Sequence, residues 1–124
     1  MKIKCGTDII EIDRIKESIE SLGEKFLNKV FTSREIEYCE SKKTQKYQHY
    51  AARFAAKEAA FKAISESLPD KYALTWNNYE ILNDDLGRPC IKVTGIELEQ
   101  IENIDLSISH CKQYAVATVV AIYK

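Results

Sequence analysis

The chain has 124 residues, 45% of them hydrophobic and 30% charged, with a net charge of −1. That length suits a single domain over residues 1–124 with a real hydrophobic core, and the balance of residues excludes a disordered chain. Near-neutral charge excludes a general nucleic-acid binder, and no apolar run approaches the roughly 18 residues a membrane span requires.

The opening "KIKC" alternates, with Ile3 and Cys5 on one side and Lys2 and Lys4 on the other. That is strand periodicity, and Gly6-Thr7 is expected to stop it. No signal-peptide apolar region is present here, so the expected location is cytoplasmic. From Asp8 onward, Ile9, Ile12, Ile15, Ile19 and Leu22 follow a three/four spacing that predicts a helix ending at Gly23. Asp8 then falls at a strand-to-helix junction, where its side chain could serve as an N-cap. Thr32 or Ser33 followed by Glu35 is a capping-box pattern and opens a short helix, with the polar loop "SKKTQK" after it. Residues 47–66 predict a long central helix stopped before Pro69.

The second half reads as strands. "WNNYEIL" and "PCIKVTG" flank the turn "NDDLGR" and predict a β-hairpin, and "GIELEQI" suits a short helix. "DLSISH" and "YAVATVVAIY" flank "CKQ" as a second hairpin. The architecture is α+β: an antiparallel sheet packed with a long central helix. Four cysteines, at 5, 39, 90 and 111, form no CxxC pair, and two histidines, at 49 and 110, lack zinc-ligand spacing. The free cysteines are expected to be buried and inert.

Charge is uneven. Residues 25–62 carry nine Lys/Arg against four acids, a net of +5, between acidic flanks. A basic middle in a neutral protein suggests an anionic ligand or partner at one place. Within it, "RFAAKEAAFKA" sets Glu58 on the same helical face as Phe54 and Phe61. The other side is small and apolar (Ala55, Ala56, Ala59, Ala60, Ala63), so the helix is expected to be buried. An ionised carboxylate there needs a partner. Lys62 at i+4 is one, as an ion pair. A magnesium ion is another: Mg²⁺ takes one or two carboxylates and fills its other positions with water and phosphate oxygens. Asp8 and Glu58 would supply those carboxylates, with Arg53, Lys57 and Lys62 as charges for a polyphosphate.

"GTDIIEIDRI", "RFAAKEAAFKA" and "LSISHCKQYAVA" resemble the three motifs of the holo-acyl carrier protein synthases, the short single-domain 4′-phosphopantetheinyl transferases, in the family's order. "FTSREIEYC" and "NDDLGRPCI" resemble its connecting segments, so the likeness spans nearly the whole chain. It implies transfer of the phosphopantetheine arm of coenzyme A to a serine of apo-acyl carrier protein, in fatty acid biosynthesis and related lipid metabolism, releasing 3′,5′-ADP. It implies Mg²⁺ on Asp8 and Glu58, and Lys62 on the pyrophosphate. His110 and its neighbour Ser109, with Arg53, would line the nucleotide site, and Lys43 and Lys46 are placed for the 3′-phosphate. It also implies a homotrimer with active sites between subunits, and Arg14 docking the carrier protein. The serine proton would pass to Glu58 or to a metal-bound water.

Two departures from the family's pattern stand out. After Lys62 the chain runs "AISESLPDKYALTW" without the family's glycine loop, so Ser65 or Ser67 would have to replace its phosphate contacts. The first helix, "EIDRIKESIESLGEK", has more acids than bases, which shifts expected docking toward Lys25, Lys29 and Arg34. The glycine-free loop also admits a module that binds coenzyme A or a carrier protein with little transfer.

Overall fold

The computed structural model describes residues 1–124. Strand β1 (Lys2–Glu11) leads into helices α1 (Ile12–Leu22), α2 (Glu24–Val30), α3 (Ser33–Glu40) and the long α4 (Lys46–Ile64). Strands β2 (Tyr79–Asn83), β3 (Pro89–Val93), β4 (Ile101–His110) and β5 (Tyr114–Tyr123) follow. A three-stranded antiparallel sheet has the order β1-β5-β4, and β2 and β3 form a separate hairpin. The expected α+β architecture is present, with the first strand paired to the last. No helix is long and apolar enough to cross a membrane.

Gly6 does not stop β1; it lies inside the strand, opposite Val119. A Cβ at this position would stand 1.9 Å from the carbonyl oxygen of Ala59. The missing side chain lets α4 lie directly on β1, and α4 meets it with fully buried alanines at 55, 56, 59 and 60. These pack against Ala117, Val119 and Ala121 of β5 to form the main core.

Because β1 runs on to Glu11, α1 begins at Ile12 and not at Asp8. The N-cap assignment for Asp8 is therefore overturned: it sits mid-strand opposite Ala117, and the N-cap residue Glu11 makes no side-chain capping bond. Ile9 points outward and is 64% exposed, whereas Ile12, Ile15 and Ile19 are buried. Gly23 ends α1 as expected, with φ at 60° and its N–H on the Ile19 carbonyl. The short α2, which the spacing did not predict, follows at once.

The capping box forms between Thr32 and Glu35. Glu35 is then drawn into the interior, where its Oε1 accepts from Lys57 Nζ at 2.7 Å and its Oε2 from the Ile81 N–H at 2.9 Å. Lys57 also donates to the carbonyls of Trp76 and Tyr79. A wholly buried ion pair is tolerable only when hydrogen bonds occupy its remaining positions, and here they join α3, α4 and β2.

"GIELEQI" forms turns and no helix, and "WNNYEIL" starts as one 3₁₀ turn before β2. Only Cys39 is buried; Cys5, Cys90 and Cys111 are exposed, contrary to expectation. Burial pushes the Cys39 thiol up to about 12, while backbone N–H groups of Gln113 and Tyr114 hold Cys111 below the usual thiol range.

Candidate functional site

Asp8 reaches the helix side of the sheet because directly opposed residues of an antiparallel pair share a face, and its partner Ala117 is wholly buried under α4. Lys62 crosses to β1, donating to the Thr7 carbonyl at 2.8 Å with Nζ 3.6 Å from Asp8 Oδ1. The Glu58–Lys62 ion pair expected of the isolated helix does not form. The ammonium is taken by β1, and Glu58 has no ion-pair partner. Burial raises the Glu58 carboxyl above its ordinary range, the Asp8 charge raises it further, and Lys62 partly offsets both.

Two carboxylates close enough to repel, with one ammonium beside them, form a hard-oxygen donor set that favours an added cation. No group of three or more His, Cys, Asp or Glu converges anywhere in the chain. A two-carboxylate donor set suits Mg²⁺, which keeps water and phosphate oxygens in its other positions, and does not suit a closed zinc cage.

The face bearing Phe54, Glu58 and Phe61 is only half-buried; the alanine side, together with Arg53 and Lys57, is the one wholly covered. Glu58 instead lines a cleft of about 720 Å³ with Phe61, Leu74, Trp76, Lys29 and Lys71. In its wall the Tyr79 hydroxyl is buried without a hydrogen-bond partner. Burial and the nearby Glu58 charge push that phenol up to about 12. Tyr79 and Lys71 come from the second half of the chain, and no spacing in the sequence ties either to Glu58.

Residues nine apart on an α-helix are half a turn out of phase, so His49 and Glu58 project from opposite flanks of α4. The other flank gathers the remaining candidates. Arg53 is 4% exposed, donates from Nη2 to Asn83 Oδ1 at 2.7 Å and lies 4.3 Å from the Tyr38 ring centroid. The His49 ring stands 5.6 Å from Tyr38 and 6.2 Å from His110. Thus Arg53 and His110 both neighbour His49, but α4 separates them from Glu58 and Lys62. Sequence reasoning missed His49, Lys42, Tyr38 and Asn83. The basic excess of residues 25–62 was the signal available for Lys42.

Lys43 is exposed at φ 55°, a left-handed conformation uncommon for a non-glycine residue, and Lys46 pairs with Glu40 at 3.3 Å. Ser109 lies opposite Val116 on the outer face of the sheet, away from His110. Arg14 is exposed on α1. Lys25 and Lys29 border an apolar groove of about 330 Å³ with Leu22, Phe26, Phe54 and Trp76, while Arg34 is committed to Glu80. After Lys62, the Ser65 and Ser67 hydroxyls turn back onto the Lys62 and Ile64 carbonyls.

The chain also matches known proteins over nearly its whole length. Residues 4–119 match the model of the 4′-phosphopantetheinyl transferase superfamily. The chain is 50% identical over 125 residues to a holo-[acyl-carrier-protein] synthase of Ruminiclostridium cellulolyticum, covering 97% of this chain and 92% of that one. Among solved structures it is similar to the Bacillus anthracis holo-(acyl-carrier-protein) synthase in complex with CoA (3′,5′-ADP). That likeness has a TM-score of 0.78 and 33% identity, over 95% of this chain and 94% of the other. It is also similar to the Helicobacter pylori synthase in complex with coenzyme A, with a TM-score of 0.81 and 29% identity over 95% and 99% of the two chains. With a match this long and the motif residues placed as described, the chain belongs to the 4′-phosphopantetheinyl transferase superfamily.

Proposed function

We infer that the protein is a holo-acyl carrier protein synthase, transferring the 4′-phosphopantetheine arm of coenzyme A to a serine of apo-acyl carrier protein and releasing adenosine 3′,5′-bisphosphate. The observation that carries this reading is the convergence of Asp8, Glu58 and Lys62 at one edge of α4, in a chain half identical to a synthase of that kind. In the transfer, the serine oxygen bonds to the phosphorus bearing the pantetheine arm, and that phosphorus gives up its bond to the nucleotide phosphate.

Such a transfer needs positioning and neutralisation of charge more than covalent help. Asp8 and Glu58 would hold Mg²⁺, which when bound neutralises the pyrophosphate. Lys62, fixed by the Thr7 carbonyl and Asp8, presents its ammonium to the departing phosphate. Glu58, in the wall of the cleft and without an ion-pair partner, is placed to accept the serine proton.

A nucleotide's pyrophosphate and its ribose phosphate are separated by little more than one sugar ring. Glu58 and the Arg53–His110 group lie on opposite flanks of a buried helix, so one ligand that uses both sets draws them from two copies of the chain. The outer sheet face offers the contact: Ile3 and Ile9 are exposed there beside Val120 and Ile122. A homotrimer satisfies this geometry. The carrier protein would meet Arg14, Lys25 and Lys29 around the groove containing Phe26. The setting is taken as cytoplasmic.

The test is the intact mass of an apo-acyl carrier protein incubated with coenzyme A, Mg²⁺ and this protein. A gain of the phosphopantetheine mass, abolished by chelator, is expected. Coenzyme A binding with no gain on any carrier would replace this reading with a binding module.

A further inference from the structure

The wall of the cleft beside Glu58 holds a hydroxyl with nothing to bond. Tyr79 is 4% exposed, and its phenolic oxygen is buried without a hydrogen-bond partner. A phenylalanine would fill the same space without taking a hydroxyl out of water, so the unmet donor costs stability and calls for a partner. The residue is firmly placed. Its backbone carbonyl accepts from Nζ of Lys57, the residue before Glu58 on α4, and Glu35 holds the Ile81 N–H at 2.9 Å. The buried ion pair thus fixes the start of β2, and Tyr79 with it, against the turn of α4 that carries Glu58. Glu58 is near enough for its charge to raise the phenol, which keeps its proton at neutral pH and acts as a donor. Other polar groups of the cleft are committed or exposed. Lys57 is taken by Glu35, the Asn77 amide donates to the Asn28 carbonyl at 2.9 Å, and the Thr75 hydroxyl reaches Asn78 Oδ1 at 3.2 Å. Lys29 and Lys71 stand exposed at its rim.

We propose that Tyr79 is a positioning residue for Glu58, its hydroxyl donating to the Glu58 carboxylate and orienting it to hold Mg²⁺. This rests on the synthase reading, under which Asp8 and Glu58 carry the metal. In the metal-free chain both groups are unpartnered, and turning the Glu58 carboxylate toward the metal is what gives the buried hydroxyl its acceptor. A carboxylate offers about four lone-pair sites, enough for the metal, the serine proton and this donor together. Carboxylates that ligate metals are themselves held by hydrogen bonds, and losing such an outer donor typically weakens metal affinity by about 10- to 100-fold. Tyr79 touches neither the reacting atoms nor the metal; it acts through Glu58.

The test compares the parent with Tyr79→Phe, which keeps the ring and removes only the hydroxyl. Mn²⁺, an ion with the same preference for oxygen ligands, is the probe, because the free ion is counted by its paramagnetic resonance signal. It is titrated with coenzyme A present, and a protein-free control accounts for metal held by coenzyme A itself. Tyr79→Phe is expected to bind Mn²⁺ about tenfold more weakly than the parent. The Mg²⁺ concentration for half-maximal carrier modification should rise by a similar factor, with a smaller change in the rate at saturating Mg²⁺. Thermal melts without metal separate this role from a structural one. The variant should melt at the parent's temperature or above it, since a buried hydroxyl without a partner has been removed. Equal Mn²⁺ affinity in the two proteins overturns the proposal, and so does a lower metal-free melting temperature in the variant, which would show the hydroxyl bonded within the fold. Carrier modification by the parent, with Mn²⁺ affinity unchanged in the variant, sinks this inference alone. A parent that binds no Mn²⁺ and modifies no carrier sinks it together with the synthase reading.

Discussion

Glu58 sits at the edge of a cleft with its carboxyl raised by burial and by Asp8, and Lys62 offsets this only in part. Glu58→Gln should lower the rate of carrier modification by about 100-fold or more, the scale of losing one electrostatic group at a transfer site. The same change should stabilise the fold at neutral pH. The folded carboxyl holds its proton more tightly than the unfolded one, whose value is near 4.5, so ionised Glu58 costs stability as pH rises from there through the raised value. Thermal melts of parent and variant should differ at pH 7, with the variant the more stable, and should converge below pH 4.5. An activity loss accompanied by destabilisation at pH 7 would assign Glu58 to the structure instead.

At the scale of elements, α4 is held by one close approach and one buried ion pair. Gly6→Ala sets a methyl group against the Ala59 carbonyl, which belongs to a helix backbone and cannot swing aside. Overpacking of this kind should cost about 3 kcal/mol in urea denaturation and displace Asp8 from Glu58. Lys57→Met leaves the Glu35 carboxylate buried without its charge partner, for an expected loss of about 3 to 5 kcal/mol. Adding Glu35→Gln should recover much of that loss, because the uncompensated charge is then gone. If the double variant is no more stable than Lys57→Met alone, the penalty lies in packing and not in charge.

For the whole molecule, the two flanks of α4 make a prediction about assembly. Glu58→Gln and His110→Ala damage opposite flanks, so subunits unfolded together and refolded as a mixture should regain activity that neither variant has alone. Parent and Val120→Glu are compared by sedimentation; the charged residue on the outer sheet face should dissociate the assembly and remove transfer with it. Mixed variants without regained activity would place both groups on ligands of one copy.

The sequence by itself determined what depends on neighbours along the chain. The capping box at Thr32, the stop at Gly23, the alternation of the C-terminal hairpin and the motif spacing around Glu58 are local, and each was legible. Three decisions needed the tertiary structure. Gly6 reads as a strand breaker until α4 lies on it, and that contact carries β1 through Asp8. Lys62 stands one turn from Glu58, yet a strand 55 residues away in sequence supplies the acceptors it takes. His49 met His110 across 61 positions only because α4 packs over the edge of β4, since no periodicity within a segment encodes which separate segments will touch.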